Sequence, residues 1–306
     1  MIPDDLAGLS TLLVVADKRS FTAAAAALQV TPSAVSQTIS ALERRLGVRL
    51  LQRTTRSVGL TEAGERFLSR LRPAMADVRA SFEALDELRD RPAGTLRLNI
   101  PHLAGRDVIE PVLPRFLAMY PDIRVEITLD DRLVDIVAGG FDAGIRIGEM
   151  LDREMIAVRV GPDVRMAVVG SPAYFAARGK PRHPRDLLAH ACINYRRITG
   201  GDVYRWEFTE NDKDFEIAVD GPLVCNDSDM SVRAALAGIG IAYVFPTAVE
   251  RELAEKRLVR VLEPFCTPFP GYFLYYPSRA HVPKKLAALV EFLKYPPARR
   301  RAKKGS

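Results

Sequence analysis

The chain has 306 residues, of which 48% are hydrophobic and 27% charged, with 44 Lys plus Arg against 38 Asp plus Glu for a net charge of +6. This composition supports a buried core, excludes a disordered chain and fits about two folded units. Cys192, Cys225 and Cys266 form no CxxC pair, the four histidines share no HExxH spacing, and no apolar run or leader pattern marks a membrane span or an exported chain. A cytoplasmic protein without disulfides, metal or cofactor is expected.

Leu6, Leu9, Leu13 and Ala16 recur at helical spacing behind the capping candidates Asp4 and Asp5, and predict a first amphipathic helix. Ser20 suits the cap of a second helix over Phe21 to Leu28, whose run Ala23 to Ala27 lets a neighbouring helix approach closely. After the short turn Gln29-Val30, Thr31 is a good N-cap and Pro32 fits the first helical position. Val35, Ile39, Leu42 and Leu46 then share one inward face, and Gly47 ends the third helix. Its outward face carries Ser33, Ser36, Gln37, Ser40 and Arg44. Small and hydrogen-bonding groups near a helix N-terminus suit a major groove, where Gln reads adenine; an ordinary solvated face is the alternative. Val48 to Leu51 and Val58 to Leu60 predict short strands around Arg53-Thr54-Thr55-Arg56, whose guanidinium and hydroxyl groups suit phosphates or a minor groove. Residues 1–60 thus read as a winged helix-turn-helix, with seven basic against four acidic side chains.

Several runs resemble the LysR-type transcriptional regulators: Ser20-Phe21-Thr22-Ala23-Ala24-Ala25, Thr31-Pro32-Ser33-Ala34-Val35-Ser36-Gln37 with Leu42-Glu43, then Leu46 to Thr54 and Leu60-Thr61-Glu62-Ala63-Gly64. The resemblance extends more loosely to about Leu293. It supports double-stranded DNA as a partner, bound through Thr31, Ser33, Ser36, Gln37, Ser40, Arg53, Thr54, Thr55 and Arg56. It also implies a homodimer or homotetramer that responds to a small organic effector, with RNA polymerase as a further candidate partner.

Thr61 caps a segment without a turn signal to about Asp90, a helix of about 45 Å and too long to fold back inside the head. Phe67, Leu71, Ala74, Val78, Phe82 and Leu85 trace a near-heptad stripe along it. The resemblance implies that residues 61–92 form a linker pairing two heads. Packing on the chain's own second domain is the alternative, and Pro73 should kink the helix.

Arg91-Pro92-Ala93-Gly94 marks a boundary. Beyond it, strand patterns at Leu96 to Ile100, Ile123 to Leu129 and Ala143 to Ile147 alternate with helical ones at Val108 to Met119 and Leu133 to Ala138, a βαβ order that predicts a parallel sheet. A second set begins at Val164 to Gly170, with a helix behind Ser171, and runs through Ile193 to Tyr195, Val203 to Phe208, Phe215 to Val219, Leu223 to Asn226, Met230 to Ala237 and Ile241 to Phe245. Gly271 to Tyr276 and Lys284 to Leu293 could return to the first lobe. The expected fold is a multidomain α+β chain: winged helix-turn-helix, linker helix, and a two-lobed α/β effector domain over 93–295 that resembles periplasmic binding proteins. Its lobes are expected at about 93–162 plus 268–295, and 163–267, with residues 296–306 as a basic, disordered tail.

Clefts in such folds bind ligands at the carboxyl ends of strands. The candidates there are His102, Leu103, Arg146, Asn194, Tyr195, Arg196, Asn226, Asp227, Ser228 and Phe245. Arg146 and Arg196 as counter-charges set the expectation of a small polar or anionic effector, although a structural ion pair fits Arg146 equally. Asp227 and Ser228 fit helix capping as well as ligand contact, and His102 fits a surface turn as well as a ligand donor. A DNA-independent binding protein or an enzyme on the same receiver fold is the competing function. Gly238-Ile239-Gly240 lacks the third glycine of a dinucleotide site, and Gly170-Ser171-Pro172 is no nucleophile elbow, so no enzyme activity is expected.

Overall fold

The structure is a computed structural model that describes residues 3–53, 58–86, 91–137, 139–148, 155–277 and 282–295. The chain divides into two compact units.

The first unit contains α1 (Pro3–Lys18), α2 (Phe21–Leu28), α3 (Pro32–Leu46), the strands β1 (Leu51–Arg53) and β2 (Val58–Leu60), and α4 (Glu62–Asp86). Local caps set the helix starts. The Ser20 and Thr31 hydroxyls accept from Ala23 N and Ala34 N, each at 3.2 Å, and Gly47 ends α3 at φ 69°. Leu12 and Val15 of α1, Ala24 and Ala25 of α2, and Val35, Ile39 and Leu42 of α3 form the core. Leu46, expected with them, is 42% exposed in the last turn of α3.

β1 begins at Leu51 rather than Val48, and pairs antiparallel with β2 from Leu51↔Leu60 to Arg53↔Val58. The preceding backbone is occupied otherwise. Glu43 Oε1 accepts from Leu50 N at 2.8 Å and Leu51 N at 3.0 Å, while the Thr61 hydroxyl donates to Arg49 O at 2.7 Å. Thr61 also caps α4 by accepting from Gly64 N at 3.0 Å. A side chain at Gly64 would meet Leu50 O, since a Cβ there would lie 2.1 Å from it.

Pro73 lies inside α4 without ending it. The stripe on α4 divides into two parts. Leu68 and Leu71 are buried in the head, with Phe67 and Met75 packed beside them, whereas Val78 is 40% exposed. The stripe therefore cannot serve as a partner seam from Phe67 onward, because its first turns complete the head's own core. The side chains of Phe82 and Leu85 lie outside the described residues.

The second unit has two five-stranded sheets. Lobe I orders its strands β4 (Ile123–Leu129), β3 (Gly94–Ile100), β5 (Ala143–Ile147), β14 (Tyr272–Pro277) and β6 (Met155–Arg159). Lobe II orders β11 (Leu223–Cys225), β8 (Cys192–Tyr195), β12 (Ile241–Val244), β7 (Ala167–Gly170) and β13 (Val259–Val261), with a separate hairpin of β9 (Trp206–Glu210) and β10 (Lys213–Ile217). Both sheets are mixed rather than parallel. β3 runs parallel to β4 and β5, but β14 returns from lobe II and pairs antiparallel with β5 and β6. In lobe II, β12 is parallel to β8 and antiparallel to β7.

The short α5 (His102–Ala104) continues into a π-helical turn, Gly105–Ile109, and α6 (Leu113–Met119) follows. The expected continuous helix from Val108 to Met119 is thus interrupted, at Pro111, which has no N–H to donate. No helix is found at 133–138 among the described residues. A turn closed by Gly139 N on Asp135 O at 2.9 Å replaces it, ahead of Gly140 at φ 70°. Lobe II carries α7 (Pro172–Arg178), capped by Ser171, as well as α8 (Ser228–Leu236) and α9 (Glu250–Ala254); α10 (Lys284–Leu293) packs on lobe I. No helix among the described residues is long and apolar enough to cross a membrane.

Candidate functional site

The first candidate surface is the start of α3. Thr31, Ser33, Gln37 and Arg44 are exposed, and Ser36 and Ser40 are half-buried. The Thr31 and Ser33 hydroxyls lie 3.0 Å apart, so the capping residue also ties down the first turn. Gln37 stands about one turn into the helix, near the positive end of its dipole, where an amide can both donate and accept. Arg53 belongs to β1, but its side chain, and the whole of Thr54, Thr55 and Arg56, lie outside the described residues.

The second candidate surface is the junction of the two lobes. His102 follows β3 at the carboxyl end of the strand, and Asp131 holds it at both ends: Oδ1 accepts from His102 N at 3.0 Å and Oδ2 lies 3.1 Å from Nδ1. Leu103 is half-buried on the same turn. Arg146 is only 3% exposed and meets no carboxylate among the described residues. Its Nη1 donates to Ile145 O at 2.8 Å, and Nη2 donates to Asn99 Oδ1 and Arg132 O, each at 2.8 Å. Arg146 thus fastens the loop at Asp130 to Arg132 onto β5, while its buried Nε has no partner among the described residues. Arg132 forks onto Asp130 with Nη2 to Oδ2 at 2.7 Å, and this hydrogen bond holds the Asp130 carboxyl below the usual carboxylate range.

On the lobe II side, Asn194 is buried in the sheet and donates to Val219 O at 3.2 Å. Tyr195 is half-buried at the end of β8; burial first, then the nearby carboxylates of Asp131 and Asp227, push its hydroxyl up to about 12. Arg196 is exposed and donates to Gly201 O at 2.6 Å, and Asn226 is exposed. Asp227 caps α8 by accepting from Met230 N at 2.6 Å, and Ser228 opens that helix. Phe245 stacks on Tyr272 of lobe I, with ring centroids 6.2 Å apart.

Among the described residues, three polar contacts made by side chains join distant segments across the junction. Thr247 Oγ1 donates to Asp107 Oδ2 at 2.7 Å, Leu133 N donates to Thr199 Oγ1 at 2.9 Å, and Arg106 Nη1 lies 3.8 Å from Asp229 Oδ1. Arg106, Asp107, Asp131, Tyr272 and Thr247 are thereby added to the residues named from the sequence. Their only advance signal was proximity to strand ends, which many surface residues share. Among the described residues, no group of His, Cys, Asp and Glu could hold a metal ion.

Residues 6–65 match the family description "Bacterial regulatory helix-turn-helix protein, lysR family", and residues 89–295 match "LysR substrate binding domain". A Pseudomonas aeruginosa protein whose name assigns it to transcriptional regulation is 48% identical over 295 residues, 96% of each chain. The HTH-type transcriptional regulator PgrR of Escherichia coli K12 is 42% identical over 95% of this chain and 98% of its own. The full-length structure of the Vibrio cholerae virulence activator AphB superposes with a TM-score of 0.68 at 24% identity, over 94% of this chain and 98% of that one, a likeness of fold.

Proposed function

The chain belongs to the LysR family of bacterial transcriptional regulators, with a helix-turn-helix head and an effector-binding domain, and we propose that a small organic effector held between its two lobes controls how paired heads engage operator DNA. In this reading α3 enters the major groove with Gln37 and its neighbouring serines toward the bases, and Arg53 to Arg56 reach the phosphates or the minor groove. The α4 stripe from Val78 on, whose Val78 is exposed, pairs two copies as a dimer or as half of a tetramer. The protein acts in the cytoplasm, where the operator is, with RNA polymerase as a partner at the promoter, and no reaction is catalysed.

The observation that carries this reading is the junction itself. The lobes meet through the Thr247–Asp107, Leu133–Thr199 and Arg106–Asp229 contacts, polar and partly exposed, which a ligand can replace or reinforce at small cost. An effector shifts the equilibrium by its difference in affinity for the two interlobe geometries, and the coupling to DNA is reciprocal. The test is selection of genomic fragments by the full chain, followed by titration of the selected fragment. Arg53→Ala with Arg56→Ala should weaken binding to every sequence and lower the salt slope by about one unit per lost phosphate contact. Recovery of no preferred fragment, or an unaltered salt slope, would refute the operator reading and the wing assignment respectively.

A further inference from the structure

One side chain of the head spans the whole turn between α3 and β1. Glu43 is half-buried near the end of α3, and its carbonyl oxygen accepts from Val48 N at 3.3 Å. Its carboxylate Oε1 accepts from both Leu50 N at 2.8 Å and Leu51 N at 3.0 Å. Leu50 and Leu51 are buried in the head's core, where an N–H left unmade is costly, and a charged acceptor satisfies both.

The carbonyls of the same segment are held by the cap of α4. Thr61 donates its hydroxyl to Arg49 O at 2.7 Å and its N–H to Leu50 O at 3.0 Å, so Thr61 ties the segment to α4 while Glu43 ties it to α3. The elements joined by Glu43 are the two that carry the candidate DNA contacts. Gln37 lies six residues before it, about 9 Å along the helix, and Arg53 follows Leu51 by two residues in β1. One carboxylate therefore fixes where the strand that carries Arg53 starts relative to the helix that carries Gln37.

On the reading of α3 and the wing as the DNA-contacting parts, we propose that Glu43 is a positioning residue for DNA binding. It touches no DNA itself; through Leu50 and Leu51 it sets the spacing at which base contacts from α3 and phosphate contacts from the wing are made together. Phosphate contacts fix register and carry no sequence information, so a misplaced wing loses affinity for every sequence alike. The ratio between operator and random DNA is left to Gln37. Reach is the property that matters, not charge. A carboxylate near phosphates repels them, so a role through charge alone predicts tighter binding once the charge is removed.

Two substitutions separate reach from charge, and neither alters the apolar face of Val35, Ile39 and Leu42. Glu43→Asp keeps the charge but is one methylene short, whereas Glu43→Gln keeps the reach and an accepting oxygen without the charge. Anisotropy titrations use the full chain, the selected genomic fragment and random DNA, at temperatures where each variant is folded. Glu43→Asp should weaken both DNAs about ten-fold, the scale of one hydrogen bond to a charged group, and lower the salt slope. Glu43→Gln should stay within about three-fold of the parent, since a neutral acceptor remains. In the chain with Arg53→Ala and Arg56→Ala, Glu43→Asp should cost almost nothing further, because it acts through contacts already lost. A lower unfolding temperature for Glu43→Asp with affinity and slope unchanged overturns the positioning role. Tighter binding by Glu43→Gln with Glu43→Asp unchanged overturns it in favour of charge. A full ten-fold loss on top of the two arginine substitutions overturns the route through the wing. An unaltered slope for the arginine substitutions alone refutes the wing reading itself, and the proposal falls with it.

Discussion

The Thr247 hydroxyl donates to the Asp107 carboxylate at 2.7 Å, joining the segment after β12 in lobe II to the π-helical turn of lobe I across 140 residues of chain. A π turn is the kind of helical irregularity that recurs at functional sites, and here it places Arg106 and Asp107 side by side at the junction. Thr247→Val keeps the shape and removes the donor. The loss should be about 1.5 kcal/mol, the low end for a bond to a charged group because the site is partly exposed. Amide exchange at residues 105–109 should then speed up several-fold while the head is unaffected; unchanged exchange would mean that this contact does not hold the lobes together.

Gln37→Ala should cost about 1–3 kcal/mol on the selected operator and much less on random DNA, since a base contact discriminates and a phosphate contact does not. Anisotropy titrations on both DNAs measure the difference. Equal losses would make Gln37 a backbone contact.

The two parts of the α4 stripe should separate cleanly. Leu71, 8% exposed in the head's core, should destabilise the chain by about 2–5 kcal/mol when replaced by Ala, with the oligomer retained at temperatures where the chain stays folded. Val78→Glu should instead dissociate the oligomer in sedimentation without lowering the head's unfolding temperature, because a charge in an apolar seam is left unpaired. An unaltered oligomer for Val78→Glu would move the seam off this face.

Burial pushes the thiols of Cys192 and Cys266 up to about 12 and about 11, from an ordinary value of 9.0. The unfolded chain therefore loses these protons first as pH rises, so their contribution is complete below about pH 9 and declines above it. The slope is about 1.4 kcal/mol per pH unit for each group, ending near 11 for Cys266 and near 12 for Cys192. Urea unfolding between pH 8 and 11 should show the fall, and Cys266→Ala should reduce its slope. A flat profile would place both thiols in water.

The head could be read almost entirely from neighbouring residues, because its stops and starts are local. Ser20, Thr31 and Thr61 each accept from an N–H three residues on, and Gly47 takes the left-handed conformation that ends α3. In the second unit Ser171 capped α7 as expected, and α10 begins and ends at Lys284 and Leu293 as its pattern indicated. What periodicity could not supply was the direction of β14 or the strand β6 beside it, since a strand's pattern records which faces are buried and not the direction of the neighbour.

The same limit governs the site. Asp227 carried two readings, and the structure adds the cap, a bond spanning three residues that any isolated segment could make. Arg146 forms no ion pair among the described residues, and its Nη atoms are held by backbone and amide oxygens. Its acceptors, Asn99 Oδ1 and Arg132 O, lie 47 and 14 residues away, brought to it by β3 and the loop after β4. Caps, helix faces and the family of the head follow from contacts within a few residues, and these the chain specifies wherever it goes. The junction of Asp107, Tyr272 and Thr247 exists only after three distant segments have been packed together, and its chemistry is set by that packing.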